Sequence, residues 1–157
     1  MGTAPQTTIR RATLDDVAML VAWHADPETS RYWDEKLYTE ETMRQKLAQP
    51  DFVPWIVQDG SAAVGYLQHW WKPGDRTAVG LDGFLVPEAR GRGIMPAAAR
   101  GLAERLLAEG WEHVTVDPYA RNERALRGWA NAGFVEVSRH PPDDEHTAEW
   151  VLMRFSS

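Results

Sequence analysis

The first stretch that could do chemistry spans residues 80–95, where a predicted strand leads into a loop with the sequence Arg90-Gly91-Arg92-Gly93. An Ala- and Leu-rich helix is predicted to follow this loop directly. The start of a helix offers unpaired backbone N–H groups and a partial positive charge, which suit a phosphate, and glycines let a ligand approach the backbone closely. The alternative is an ordinary strand-to-helix connection with solvated arginines.

The second candidate is Asp82, a carboxylate in a strand whose neighbouring residues Leu81, Gly83 and Phe84 are small or apolar. A carboxylate directed toward the interior must be compensated, and partial desolvation makes it a better proton acceptor. We therefore predict that Asp82 is a catalytic base that accepts a proton from an amine, directly or through water. The alternative is a structural aspartate paired with an arginine.

Other acidic residues fall near predicted strand ends. Asp117 ends a short predicted strand on the side of the sheet where ligands gather, although an Asp-Pro turn explains it equally well. Asp143, Asp144 and Glu145 form the tip of a predicted hairpin, where solvated residues are common. Together with Asp82 they predict a negative pocket for a polyamine. The histidines show no metal-ligand spacing, so we predict no metal site.

Hydrophobic periodicity and turn residues predict the elements that position these side chains. Strands are predicted over residues 7–12, 53–58, 62–71, 77–86, 113–117, 134–139 and 147–155. Helices are predicted over residues 14–24, 40–49, 94–109 and 122–132, with a short helical turn over 27–33. In the first helix, Leu14, Val17, Ala18 and Val21 are predicted to share the buried face.

This order of elements predicts an α/β (α+β) fold. The sheet is expected to be mixed and mostly antiparallel, with about six to seven strands, flanking helices and one central parallel crossover. We expect residues 1–157 to form a single domain.

The composition limits the classes of partner. The chain has 157 residues, no cysteine and a net charge of -6 at pH 7, which argues against binding nucleic acid through a broad basic face. No apolar run approaches the roughly 18 residues of a membrane span, and no secretion signal is recognisable. We therefore expect a cytoplasmic protein without a membrane partner. Its eight tryptophans form either core or the walls of a substrate cleft.

The glycine-rich loop resembles the acyl-CoA motif of the GNAT superfamily of acetyl-CoA-dependent N-acetyltransferases. That motif reads Gln or Arg, two residues, Gly, one residue, then Gly or Ala. Here it is Arg90-Gly91-Arg92-Gly93-Ile94-Met95, with Met95 in place of a small residue. The segments Val116-Asp117-Pro118 and Asn131-Ala132-Gly133-Phe134, with Asn122 between them, also resemble the family.

Within the superfamily, the chain resembles aminoglycoside 6'-N-acetyltransferases over most of its length. The matching segments are Tyr32-Trp33, Gly65-Tyr66-Leu67-Gln68, residues 80–85, Asp117-Pro118 with Asn122, and Pro142-Asp143. One position departs from that family, because Trp129 stands where a tyrosine is proposed to protonate the departing thiolate. An indole is not a usable acid, so water is the alternative proton source.

The resemblance implies a sheet whose central strands splay apart, with the pantetheine arm of acetyl-CoA inserted like an extra strand. It implies a small polycationic amine as acceptor, most closely an aminoglycoside, and a backbone N–H at Leu85 as the oxyanion donor. The implied cofactor contacts are Phe84, Leu85, Val86, Arg90, Gly91, Arg92, Gly93, Ile94, Met95, Asn122 and Trp129. The implied substrate contacts are Tyr32, Trp33, Gln68, Asp82, Asp117, Asp143 and Asp144.

Two other functions remain open from the sequence. The same fold could acetylate a protein N-terminus, a lysine or a siderophore-type amine, or it could bind acyl-CoA without catalysis. Either a monomer or a homodimer is compatible with the sequence, since exposed tryptophans mark a subunit surface as readily as a cleft.

Overall fold

The computed structural model describes residues 4–30 and 37–156, so the predicted aromatic pair Tyr32 and Trp33 lies outside the described residues. The strands are β1 (Thr7–Arg11), β2 (Phe52–Asp59), β3 (Ala62–Trp70), β4 (Ala78–Leu85), β5 (His113–Val116), β6 (Phe134–His140) and β7 (Trp150–Phe155). They form one seven-stranded sheet in the order β1-β2-β3-β4-β5-β7-β6. Only β4 and β5 pair in parallel among the described strands, which confirms the predicted mixed sheet with one crossover.

The helices of the described chain are α1 (Val17–Ala25), α2 (Pro27–Ser30), α3 (Glu40–Leu47), α4 (Ile94–Ala108) and α5 (Glu123–Ala132). Reciprocal capping boxes begin two of the helical regions. Thr13 and Asp16 cap a 3₁₀ turn that leads into α1, and Thr39 and Thr42 cap α3. None of the helices in the described ranges is long and apolar enough to cross a membrane.

The sheet separates two apolar clusters. Leu67 and Leu81 belong to the larger cluster, which includes α4 and α5 residues such as Leu102. Tyr66 and Phe84 belong to the smaller cluster, together with residues of α1 and α3. Because successive side chains of a strand point to opposite faces, neighbouring residues of β3 and β4 serve different clusters. The face of Tyr66 and Phe84 is also the face that carries Asp82.

The predicted buried face of the first helix is correct for Val17 and for the half-buried Val21 but wrong for Leu14 and Ala18, which are exposed. Leu14 is 65% exposed, whereas Val17, Leu20 and His24 are buried. Leu14 belongs to a 3₁₀ turn, Leu14–Asp16, that precedes the α-helix. The buried side of α1 begins at Val17 and continues at Leu20 and His24.

The two central strands diverge where the site is expected. Residues 78–80 of β4 pair with residues 113–115 of β5, but β4 continues to Leu85. The end of β5 pairs with β7 on its other side, at Thr115 and Val116. The edge of β4 beyond Gly80 therefore faces a gap, and this gap is the splay that the family resemblance implied.

Candidate active site

One row of backbone groups faces the gap between β4 and β5. The N–H of Val86 donates to the C=O of Val64 at 2.9 Å, and the C=O of Val86 accepts from Ala89 at 3.0 Å. Because hydrogen-bonding direction alternates along an antiparallel strand, residues 81, 83 and 85 direct their backbone groups into the gap. The resemblance implied cofactor contacts at both Leu85 and Val86. Of these two residues, Leu85 is the one whose backbone groups point into the gap, and its N–H is the candidate oxyanion donor.

Asp82 and Asp117 occupy equivalent positions on the two sides of the gap. Gly80 of β4 pairs with Thr115 of β5, and each aspartate lies two residues further along its chain. Side chains two residues apart in extended chain share a face, so both carboxylates project from the same face of the sheet. Asp82 is half-buried, and its Oδ1 accepts the backbone N–H of Gly83 at 2.8 Å.

Asp117 contacts a histidine to which the sequence assigned no role. His146 Nε2 lies 2.7 Å from Asp117 Oδ2, and His146 Nδ1 lies 2.8 Å from Asp143 Oδ1. Burial raises the pKa of Asp117 above its ordinary value, and the hydrogen bond to His146 counteracts only part of that rise. Burial alone would lower the pKa of His146, but its hydrogen bonds to Asp143 and Asp117 outweigh burial and raise it.

The spacing Asp143-x-x-His146 is the sequence signal that could have indicated this contact. An aspartate in a turn accepts hydrogen bonds from backbone N–H groups two to three residues ahead, which brings His146 close to Asp143. Asp143 Oδ1 accepts the N–H groups of Glu145 and His146, and its Oδ2 accepts the indole N–H of Trp150 at 3.1 Å. Protein donors thus engage both oxygens of Asp143. This predicted substrate residue lies in a turn behind His146, with Asp144 exposed beside it.

The N-terminus of α4 is open to an anion. Its N-cap, Gly93, has a φ of 76° and no side-chain cap, and Gly91 has a φ of 81°. These are left-handed conformations that glycine adopts without strain. A Cβ placed on either glycine would meet no atom within 4 Å, so the space above the loop is open. The first N–H groups of α4 can therefore receive a phosphate.

The two loop arginines have different surroundings. Arg90 lines the cleft and donates to the C=O of Glu28 at 2.8 Å. Burial lowers the pKa of Arg90, and the like charge of Arg124 contributes to the same shift. Two neighbouring guanidinium groups on a cleft wall suit an anionic ligand. Arg92 instead forms an ion pair with Asp59 at 3.0 Å and is not among the cleft-lining residues.

A single cleft of about 1310 Å³ joins these features. The predicted site residues that line it are Gln68, Asp82, Phe84, Leu85, Arg90, Gly91, Gly93, Ile94, Met95, Asp117, Asn122 and Trp129. The predicted site residues outside its lining are Val86, Arg92, Asp143 and Asp144. Lining residues that the sequence did not single out for the site include Lys46, Tyr119, Arg124 and His146.

Asn122 and Trp129 form the α5 side of the cleft. The Oδ1 of Asn122 caps α5 by accepting the N–H of Ala125 at 3.1 Å, so its NH₂ group is the part that can reach a cofactor. Trp129 is only 6% exposed and packs edge-to-face on Phe134. The open N-terminus of α4, Arg90 and the unpaired edge of β4 together fit an extended cofactor that carries phosphates.

Residues 12–141 match the family described as acetyltransferase (GNAT) domain. The chain belongs to the GNAT acetyltransferase family. The resemblance drawn from the loop motif is confirmed, and the splayed sheet of the structure is the fold of this GNAT protein. No curated protein matched the chain in sequence.

Solved structures share the fold over nearly the whole chain. The aminoglycoside acetyltransferase AAC(6')-Ib with coenzyme A and kanamycin is 24% identical, with a TM-score of 0.81, over 96% of this chain and 95% of that one. Its complex with paromomycin and acetyl-CoA gives 24% identity and a TM-score of 0.82, over 96% and 93% of the two chains. Spermidine N-acetyltransferase from Vibrio cholerae, in complex with CoA and spermine, is 15% identical, with a TM-score of 0.81, over 96% of this chain and 95% of that one. At these identities, the likeness establishes the fold.

Proposed function

We propose that this GNAT protein transfers the acetyl group of acetyl-CoA to a primary amine of a small polycation, most specifically the 6'-amine of an aminoglycoside. The observation that carries the proposal is one cleft lined both by the uncapped N-terminus of α4 and by Asp82 and Asp117. A phosphate-bearing donor and a cationic acceptor need opposite charges, and the cleft presents both. The CoA and acetyl-CoA bound in similar structures support acetyl-CoA as the cosubstrate.

Acetyl-CoA supplies the thioester: the amine nitrogen bonds to the acyl carbon, the C–S bond breaks, and the sulfur leaves as a thiolate that takes up a proton. Asp82 holds the ammonium group and accepts its proton, directly or through water. The N–H of Leu85 stabilises negative charge on the acyl oxygen. A second proton leaves the nitrogen as the amide forms, and water takes it up. Trp129 has no acidic proton to give, so water also protonates the sulfur.

The shape of the acceptor side favours a cyclic amine. A Cβ at Gly80 would lie 2.9 Å from two ring carbons of Trp70, so the indole covers the backbone of β4 at that point. Gln68, the next residue of β3 on the same face, pairs in register with Asp82 and accepts the Tyr66 hydroxyl at 2.8 Å. An aromatic surface beside a carboxylate suits a sugar ring that carries an amine.

A linear polyamine is the second candidate acceptor. The structure of the spermidine N-acetyltransferase with spermine matches this chain in fold as well as the aminoglycoside enzyme does. A linear chain would satisfy Asp82 and Asp117 but would leave the Trp70 surface without a ring to contact. The two candidates therefore differ in how strongly they depend on Trp70.

A thiol-release assay with acetyl-CoA separates these acceptors. Kanamycin, tobramycin, spermidine and a lysine-containing peptide are compared at equal concentration, and we expect the two aminoglycosides to be the best substrates. Asp82→Asn is expected to lower kcat/KM by about 10²–10⁴-fold, the usual contribution of a general base, without changing the affinity for CoA. Asp15→Asn is the matched control, because Asp15 is exposed and is not among the residues that line the cleft.

Two results would contradict the proposal. The first is the absence of acetyl transfer to any aminoglycoside that carries a 6'-amine. The second is an Asp82→Asn variant with wild-type kcat/KM. Faster turnover of spermidine than of kanamycin would select the linear acceptor.

A further inference from the structure

His146 lies between two carboxylates at the wall of the cleft. The residue is 8% exposed, and its two ring nitrogens lie 2.7 Å from Asp117 Oδ2 and 2.8 Å from Asp143 Oδ1. A neutral imidazole has one N–H and one lone pair, so it satisfies only one carboxylate. Donating to both requires the imidazolium form, which is also the form that two negative neighbours stabilise.

A second set of contacts holds the ring in place. Trp150 of β7 stacks on His146 with ring centroids 4.2 Å apart and planes 12° apart, while its indole N–H bonds to Asp143. The opposite face of Trp150 stacks on His140 at 4.3 Å. Tyr119 meets the edge of the His146 ring at 6.1 Å. These contacts fix both the plane and the position of His146.

The charged and titratable groups around His146 come from the end of β5, the segment that follows it, the loop that carries His146, and β6. Asp117 approaches from the end of β5, and Asp143 and Glu145 lie on the loop that carries His146 itself. In the segment after β5, the Tyr119 ring contacts the His146 ring, and the Arg121 guanidinium lies 5.0 Å from the centre of the Tyr119 ring. Beyond Trp150, β6 contributes His140. Asp117 is the one group that is both bonded to His146 and part of the cleft wall.

We propose that cationic His146 is a positioning residue, which holds one oxygen of Asp117 and so directs the other oxygen toward the amine of the acceptor. This inference rests on the proposed function, since it assigns Asp117 to the ammonium group. Asp143 and Trp150 act behind His146 and do not contact the acceptor. With His146 charged, the row Asp117–His146–Asp143 carries one net negative charge, enough to attract an amine while keeping Asp117 in a single orientation.

Loss of the His146 proton removes one of the two hydrogen bonds. The hydrogen bonds to Asp143 and Asp117 raise the pKa of His146, so this loss is expected on the alkaline side of the ordinary histidine range. If the proton is lost from the ring nitrogen that faces Asp117, the carboxylate faces the lone pair of that nitrogen and loses its fixed orientation. The KM for the amine is expected to rise with pH through this range in the wild type, and the rise is expected to be absent when position 146 cannot titrate.

The kinetic test compares His146→Gln, which keeps one donor without the charge, with His146→Phe, which keeps neither. His140→Gln, on the far face of Trp150, is the control. We expect KM for kanamycin to rise about tenfold in His146→Gln and further in His146→Phe, the loss typical of one charge-assisted hydrogen bond. The kcat is expected to stay within about threefold of wild type, and the affinity for CoA to stay unchanged.

Nitrogen NMR of the imidazole gives a readout that does not depend on acetyl transfer and that the wild-type protein provides on its own. In the wild type both ring nitrogens of His146 are expected to be protonated at pH 7, and Asp117→Asn is expected to lower the midpoint of the titration. A neutral His146 at pH 7, or wild-type KM in His146→Gln, would overturn the inference. Calorimetry with kanamycin and spermine completes the test: wild-type protein that binds an amine but releases no thiol contradicts only the proposed function. Protein that binds neither amine overturns this inference as well.

Discussion

Replacing Gly93 by alanine tests the role of the α4 N-terminus. Gly93 is the N-cap of α4 and has a φ of 76°. A Cβ there meets no protein atom within 4 Å, so the methyl group of Gly93→Ala projects into the open space where a phosphate is expected. The substitution therefore has two separable effects, one on the backbone and one on the ligand.

The backbone effect follows from the left-handed conformation. A non-glycine residue there costs about 1–2 kcal/mol, which lowers Tm by about 2–8 °C in a chain of this size. The ligand effect follows from the helix N-terminus, where an anion gains up to about 2 kcal/mol. Losing about 1–2 kcal/mol of that interaction weakens the Kd for CoA about five- to thirtyfold.

Gly110 provides the matched control. It follows α4 at the opposite end of the helix, has a φ of 105°, and also has open space around its Cβ position. Calorimetric titration with CoA and thermal melts are measured for Gly93→Ala and Gly110→Ala. Both variants are expected to melt at lower temperature, and only Gly93→Ala is expected to bind CoA more weakly. Wild-type CoA affinity in Gly93→Ala would refute the assignment of the α4 N-terminus to the phosphates.

Three further predictions concern stability. A Cβ at Gly83 would lie 2.5 Å from the backbone oxygen of Tyr66, so Gly83→Ala is expected to lower the free energy of unfolding, measured in urea, by about 3 kcal/mol or more. Gly101 lies within α4 and has open space around its Cβ position, so Gly101→Ala is expected to raise the free energy of unfolding by about 0.5–1 kcal/mol. The hydrogen bond to Arg10 lowers the pKa of Asp16 below 3.8, so its stabilisation of about 1 kcal/mol is present at neutral pH. It is expected to disappear as the pH falls through that lowered value, and the unfolding curves of wild type and Asp16→Asn then converge. Burial lowers the pKa of His69 to about 4, so NMR is expected to find a neutral ring at pH 6. Between pH 6.5 and 4 the unfolded chain takes up a proton at His69 that the folded protein does not, so stability is expected to fall with pH in this range.

Local signals account for the parts of the fold that the sequence predicts well. The turn at Gly60, with its φ of 59°, joins β2 and β3. The segment Asp59-Gly60-Ser61 between the two predicted strands is typical of a hairpin turn. Thr39 is the N-cap of α3, directly before the helix predicted to start at residue 40, and threonine is a preferred capping residue. The parallel crossover follows from the strand, loop and helix order around Gly91 and Gly93. Each of these features depends on residues that are near one another in the chain.

The parts that the sequence did not predict depend on partners distant in the chain or on the exact helical phase. Arg92 is drawn away from the cleft by Asp59, 33 positions earlier, a pairing that the loop motif does not encode. His146 reaches Asp117 across 29 positions. Leu14 is exposed and lies in a 3₁₀ turn before α1, where the periodicity predicted one continuous helix. In each case the local pattern was compatible with more than one outcome.

The site chemistry was predictable to a similar extent. Asp82 and Asp117 could be singled out because a carboxylate next to apolar neighbours or at a strand end is unusual. Their placement on one face, on opposite sides of the gap, depends on the register of Gly80 with Thr115, which only the paired strands define.

The central claim is tested most directly by identifying the product formed from acetyl-CoA and kanamycin. Purified protein is incubated with isotope-labelled acetyl-CoA, and the acetylated nitrogen is assigned by NMR. We predict a single acetyl group on the 6'-nitrogen with the wild type and no product above background with Asp82→Asn. Transfer to a different nitrogen, or no transfer to kanamycin at all, would contradict the proposed acceptor.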